Sequence, residues 1–481
     1  MSNQKSISNR FAFLVSIFLF AVLLNAIQAQ DNFPVGIFGL DDPANFHLNN
    51  HEIQLIYGIN TNYLFGVIND EASVMTFCID TTGGDIQMNI EQDPTGHRYL
   101  VDNPYSDYRG PFYYYTTEAI WPYISRSYYT NIDSSEIELF VNNVNGHYGA
   151  DLSGMRSILV AHQGHIDDPN HWCFIQYACS LMQRTIGSEV NSSVISNIFQ
   201  WNPLRGGNIQ DFFADVDSLD IYQHEQYPFH VEHQDPNNLT DSSAFNGNDF
   251  QTDIVDTRII GGYQQTWQAL RNSGNQHTKL ELIMQTHRAW SYADGDSAFF
   301  RRPTEAEIWL QSFLGLSRNF KGIHAYIYMS YHGAHGSQTW GLVDESSPRA
   351  VYYPHYTRVG QLFDHSSVLG SQLLPLNVDT AFTWTGTSTD YIQNITGDSL
   401  DGSHRTMEVS IFYEYNSNDY FMLINRRCNR DSANVWVNAY PQHISLTIDP
   451  DVAGTYQIRD LYSNELYITS DNIFRDIEIL A

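Results

Sequence analysis

The stretch RPTEAEIWLQSFLGLSRNFKGIHAYIYMSYHG, from Arg302 to Gly333, constrains the fold more than any other part of the chain. Thr304 is an N-cap residue type, and Glu307 stands three residues on, so the pair predicts a capping box and a helix starting just after Thr304. Trp309, Phe313, Leu316 and Phe320 then recur at helical spacing. Gly322 is expected to stop that helix. Ile323 to Tyr331 is nearly all apolar or aromatic, which is the texture of a parallel strand covered on both faces.

The same alternation runs through much of the chain. Strand patterns are read at Phe33–Leu40, Asn62–Ile68, Asp85–Ile90, Ser157–His165, Val194–Phe199, Leu219–Tyr222, Leu280–Gln285 and Ile323–Tyr331, with helical patterns between most of them. Alternating units of this number predict an α/β fold, a closed (β/α)8 TIM barrel over residues 30–369. A doubly wound open sheet is the alternative. It is disfavoured because GIFGLDDPANF after the first strand lacks the glycine spacing of a phosphate-binding turn. Residues 92–154 are too long for an ordinary βα loop. They carry NPYSDYRGPFYYYTTEAIWPYISRSYY, an aromatic-rich insertion that either stacks on the apolar face of a ligand or is a small β-insertion whose tyrosines pack.

From Leu376 onward the pattern is strand and turn only. Met407, Val409 and Ile411 share one face, and Ile444, Leu446 and Ile448 another, with turn signals YNSND, DPDVAG and YSNEL between strands. An antiparallel β-sandwich over 376–481 is expected, and strand texture persisting to DIEILA suggests that a final strand is missing.

The first residues read as a secretory signal over 1–29: Lys5 and Arg10, the apolar run Phe11–Leu24, and a small-residue cleavage zone at Ala26, Gln28 and Ala29. The run is short for a spanning helix, which needs about 20 apolar residues, so no stable membrane insertion is expected after cleavage. A secreted or periplasmic location follows. The 481 residues hold 54 Asp plus Glu against 24 Lys plus Arg, a field that repels nucleic acid and suits a neutral substrate. Four cysteines are few for a secreted chain of this length, and no CxxC occurs, so one or no disulfide is expected. Cys173 and Cys179 lie too far apart on one helix to bridge easily.

The run from Arg302 to Gly333 resembles the last helix and last strand of secreted (β/α)8-barrel glycoside hydrolases of the β-galactosidase-like group. YFMLINRRCNRDSANVWV resembles the sandwich modules that follow many such barrels. The resemblance implies an oligosaccharide or polysaccharide as partner and no cofactor. It also implies two carboxyl groups flanking a glycosidic bond. In that group an acid Glu ends the fourth strand and a nucleophile Glu the seventh. The fourth strand here leads into Asp167-Asp168-Pro169, so Asp168 either serves as general acid or N-caps the helix of His171, Trp172 and Ile175. The matching position on the seventh strand is Gln285, in LELIMQTHRAW. An amide cannot attack an anomeric carbon. Glu225 or Glu91 would then activate water in an inverting mode.

Candidate substrate contacts are Gln285, His287, Tyr227, His224, Trp290 and Asn202. Tyr227-Pro228 follows a strand, as is common in these barrels. His224 and Glu225 are adjacent, so both cannot face inward if the strand extends that far. Asp41, Asp42, Asn69, Asp70, His332 and His335 are further polar groups at strand ends. Two alternatives stay open: a non-catalytic carbohydrate-binding protein on the same barrel, and a metal-dependent barrel hydrolase using HQGH (His162, His165) or HEQYPFHVEH (His224, His230, His233). No HExxH is present, and no metal is assigned. No GxSxG elbow follows a strand.

Overall fold

The computed structural model describes residues 33–38, 61, 63–64, 87–90, 107–109, 113–115, 134–148, 155–162, 166, 169–188, 190–196, 207–231, 251–293, 296–300, 302–328, 330–332, 338–344, 351, 355–386, 388–389, 392–397, 407–416, 418–426, 442–449, 456–461 and 463–479. Eight parallel strands form its centre: β1 (Val35–Ile37), β2 (Tyr63–Leu64), β3 (Gln87–Ile90), β4 (Met155–His162), β5 (Asn191–Ser196), β6 (Ile221–Gln226), β7 (Lys279–Gln285) and β8 (Phe320–Tyr326). Each pairs with its chain neighbours, and β1 pairs with β8, so the sheet is barrel-like and its order closes on itself. Every strand read from the sequence overlaps one of these.

Helices cover the outer face. They are α1 (Ser134–Tyr148), α2 (Pro169–Thr185), α3 (Ile209–Asp215), a π-helical segment (Gln251–Ile260) running into α4 (Gly261–Ser273), α5 (Glu305–Leu316) and α6 (His355–Leu373). Apart from Phe38 and Thr61, the connections from β1 to β2 and from β2 to β3 lie outside the described residues. α1 occupies the end of the insertion, where Ile137, Val141 and Val144 are buried at helical spacing. In the same insertion Asp107–Arg109 pairs with Tyr113–Tyr115.

The predicted capping box at Thr304 is present: its side chain accepts from the Glu307 N–H, and Glu307 accepts from the Thr304 N–H. Gly322 does not stop that helix. α5 ends at Leu316, the chain turns through Asn319 at φ 66°, and Gly322 lies inside β8. A Cβ on Gly322 would stand 3.0 Å from the Glu281 side chain, so the glycine serves close packing inside the barrel.

Loops after β6, β7 and β8 contribute a five-stranded antiparallel sheet, in the order 331–332, 338–340, 288–293, 296–300, 230–231. It stands beyond the C-terminal ends of those three strands. Farther along, β9 (Val378–Thr383), β11 (Met407–Phe412) and β12 (Phe421–Asn425) form one antiparallel sheet. β10 (Ile392–Gly397), β13 (Gln442–Ile448) and β14 (Ile473–Ile479) form another. Trp384, Met407, Val409, Ile395, Leu446 and Phe474 fill a shared apolar core between them.

β11 is buried at every position. Its second face meets the barrel. There Glu408 accepts from Arg318 and, at 3.2 Å, from Arg426, while Arg426 also reaches Asp256. Ser410 donates to the Ser317 carbonyl at 3.0 Å. Cys173 and Cys179 are both free thiols, the first exposed and the second buried.

Candidate functional site

Inside the barrel the strands alternate as a pleat requires. Phe38, Leu159, Ile195 and Ile283 form an interior apolar cluster with Tyr326 against it. Glu225 is the register partner of Ile283 and therefore points inward. Deeper in the barrel, Glu281 takes Arg156 at 2.7 Å and the His324 Nε2–H at 2.8 Å. Burial by itself pushes the Glu281 carboxyl up, but the Arg156 guanidinium and the His324 N–H outweigh it and bring it to about 2. Gln223, the register partner of Glu281, is fully buried, and its amide has no hydrogen-bond partner among the described residues.

At the C-terminal end, Glu225 is half-buried and accepts a hydrogen bond from the Tyr227 hydroxyl. The Tyr227 ring meets His287 at 4.8 Å, Tyr326 at 5.0 Å and Phe300 at 5.7 Å between centroids. Tyr326 in turn lies 6.3 Å from Phe38. One carboxylate is thus set among rings from the ends of β1, β6, β7 and β8 and from the antiparallel sheet beyond them. His287 donates from Nδ1 to the Tyr326 carbonyl at 2.9 Å. Burial lowers its basicity to about 4, with the Tyr326 carbonyl opposing and Arg302 assisting. The ring is neutral at physiological pH, and the tautomer leaves Nε2 as an acceptor.

His224 does not reach this group. It turns to the outer face of β6, donates from Nε2 to Gln226 at 3.1 Å and accepts from Thr266 of α4 at 3.0 Å, with its ring edge-on to Tyr263. Burial brings it to about 4, against the Gln226 hydrogen bond. It is a satisfied core histidine, because strand alternation sends 224 and 225 to opposite faces.

Gln285 is also withdrawn from the surface. Its side-chain oxygen accepts from the Phe229 N–H at 2.9 Å, and its amide nitrogen donates to the His287 carbonyl at 3.3 Å. The backbone of Gln285 is held by Gln311 of α5 through two bonds of 3.1 Å. Its amide serves neighbouring main chain rather than an open surface.

Trp290 sits in the antiparallel sheet, paired with Phe299 and Gln338. Arg288, from the same strand, stacks 4.8 Å over Trp340. Asp168, Glu91 and Asn202 lie outside the described residues. The structure therefore brings Glu225, Tyr227 and His287 together and adds Tyr326, Phe300 and Phe38, which sequence reasoning did not select. Tyr326 had a signal: it ends an inward-facing register, opposite Gln285.

Among the described residues no group of three or more His, Cys, Asp or Glu side chains is arranged to hold a metal ion, and no helix is long and apolar enough to cross a membrane.

No family model and no curated protein matches the chain. Solved structures with partial similarity include a β-galactosidase from the psychrophilic Marinomonas ef1, at 12% identity and TM-score 0.47, covering 71% of this chain and 62% of that one. A GH2 β-galacturonidase from Eisenbergiella tayi bound to galacturonate matches at 12% identity and TM-score 0.41, covering 68% and 50%. The spore cortex-lytic enzyme SleL of Bacillus cereus matches at 10% identity and TM-score 0.36, covering 61% and 71%. The chain spans less than two thirds of the length of the first two.

Proposed function

We propose that this chain is a secreted glycan-processing protein of the glycoside hydrolase kind, on a (β/α)8 barrel over 30–369 with a β-sandwich over 376–481. The observation that carries the reading is the half-buried Glu225 carboxylate, bonded to Tyr227 and set among aromatic rings at the C-terminal end of a barrel-like sheet. Aromatic faces accept the apolar C–H faces of pyranose rings, and that end of a parallel barrel is where reacting groups gather. His287 supplies a neutral acceptor for a sugar hydroxyl. Glu225 takes the role of base for an attacking water, with Glu91 as the other candidate. Asp168, in the connection from β4 to α2 and outside the described residues, takes that of general acid. Inversion requires carboxyl groups about 6.5–9.5 Å apart.

A panel of aryl glycosides and oligosaccharides, followed by anomer-resolved NMR of the products, tests the reading. Turnover with inversion, lost in Glu225→Gln and in Asp168→Asn, supports it. Turnover that survives Glu225→Gln counts against it.

A second reading, glycan binding without turnover, is favoured by one observation. The position that carries the nucleophile in the resembling group is an amide consumed by main-chain contacts. Saturable binding of the same panel with no product formed selects it.

A further inference from the structure

Three bonds fix the turn that follows β6. Gln226 donates to the Arg258 carbonyl, Arg258 donates to the Pro228 carbonyl at 3.1 Å, and the Phe229 N–H donates to the Gln285 side chain at 2.9 Å. Tyr227 stands in the middle of this turn, with its hydroxyl on Glu225. The other end of the Gln285 amide holds the carbonyl of His287, whose ring packs at 87° against Tyr227. One fully buried amide thus ties His287 directly, and Tyr227 through the Phe229 N–H two residues on, to the end of β7. Gln285 is itself pinned by Gln311 from α5.

We propose that Gln285 is a positioning residue, which fixes the Tyr227–Pro228–Phe229 turn and His287 and through them the placement of the Glu225 carboxylate. The proposal deepens the reading of this site as the working one. It explains why an amide is suited to the position: a carboxylate could accept from Phe229 but would face the His287 carbonyl with like partial charge, whereas an amide accepts at one end and donates at the other. Loss of the amide removes an acceptor from one buried N–H and a donor from one buried carbonyl together.

The test needs no substrate. The full chain is labelled with a water-soluble carbodiimide and glycine ethyl ester, and labelling rates at individual carboxyls are read by peptide mass spectrometry. Loss of the Tyr227–Glu225 bond, worth about 1 kcal/mol, directly in Tyr227→Phe or through the released turn in Gln285→Leu, should make Glu225 react about fivefold faster. The buried Glu408 should stay unlabelled. Glu225 labelling that is unchanged in a folded Gln285→Leu overturns the proposal. So does a rise shared by Glu408, which indicates general loosening. Should Gln285→Leu not fold, Tyr227→Phe decides, because an unchanged Glu225 rate there removes the last link of the chain. Absence of glycosidase activity would leave this labelling pattern intact, so the two readings fail separately.

Discussion

Gly322 leaves open the volume that the Glu281 carboxyl fills: a Cβ on Gly322 would lie 3.0 Å from both Cγ and Cδ of Glu281 and 3.2 Å from Oε1. The carboxylate cannot retreat, because Arg156 and His324 hold its two oxygens. Gly322→Ala is therefore expected to cost about 1–3 kcal/mol, the usual range for overpacking. Urea unfolding measures it. A change under a few tenths of a kcal/mol would show that the network yields without strain.

Glu408 is shared by two buried guanidiniums, Arg318 and Arg426. Glu408→Ala leaves both without this acceptor in a dry contact, at an expected cost of about 3–5 kcal/mol. Replacing Arg318, Glu408 and Arg426 together by apolar residues should be less harmful than the single change. Thermal melting of the two variants checks this order, and the reverse order would discard the account.

Acid should destabilise the fold through its neutral histidines. His224 and His287 both titrate near about 4 in the folded chain, below the ordinary 6.5. Between those values the unfolded chain binds protons that the folded chain refuses, so stability rises with pH. It is fully present above about 6.5 and is lost as pH falls through about 4, at roughly 3 kcal/mol per histidine. His224→Gln should flatten the difference in urea midpoint between about pH 7.5 and about pH 4.5. Equal slopes for variant and parent would refute the assignment.

His287→Phe keeps a ring beside Tyr227 and removes the Nε2 acceptor. With a glycan that the parent binds, the variant should show about fivefold weaker binding, the worth of one hydrogen bond. Isothermal titration reads it, and unchanged affinity would place the sugar elsewhere.

Thr304→Ala removes one half of the reciprocal cap on α5. A loss of about 1 kcal/mol is expected by chemical denaturation. This feature was legible in the sequence because capping is local: two residues at fixed spacing satisfy each other's backbone donors. Two of the longest strands were legible for a similar reason, since Leu280–Gln285 and the strand around Ile323 are mainly apolar runs bounded by breakers. Gly322 misled because a glycine after a helical pattern has two uses. A terminating αL residue was needed, and Asn319 supplied it, leaving Gly322 to make room for Glu281. The sheet beyond the barrel mouth was not legible as a sheet, because its strands come from three separate loops and its two local hairpins are joined to each other and to 230–231 only by pairings more than 45 residues apart in sequence. In MEVSIF the two-residue period was read correctly, but Glu408 and Ser410 face Arg318 and Ser317, not water. Period reports which residues share a side and is silent on what covers that side. The same gap explains His224, whose polarity suggested a mouth although strand parity turned it toward Thr266.

The double covering of β11 bears on how this protein can be divided. Severing the chain after Leu373 would strip Arg318 of its carboxylate, leaving only the neutral acceptors Gln264, Leu314 and Ser317, and would open a buried guanidinium to water on the flank that β11 covers. Such a fragment should precipitate or need a solubilising fusion. Grafting its barrel onto a different trailing module would require transplanting the acidic partner as well.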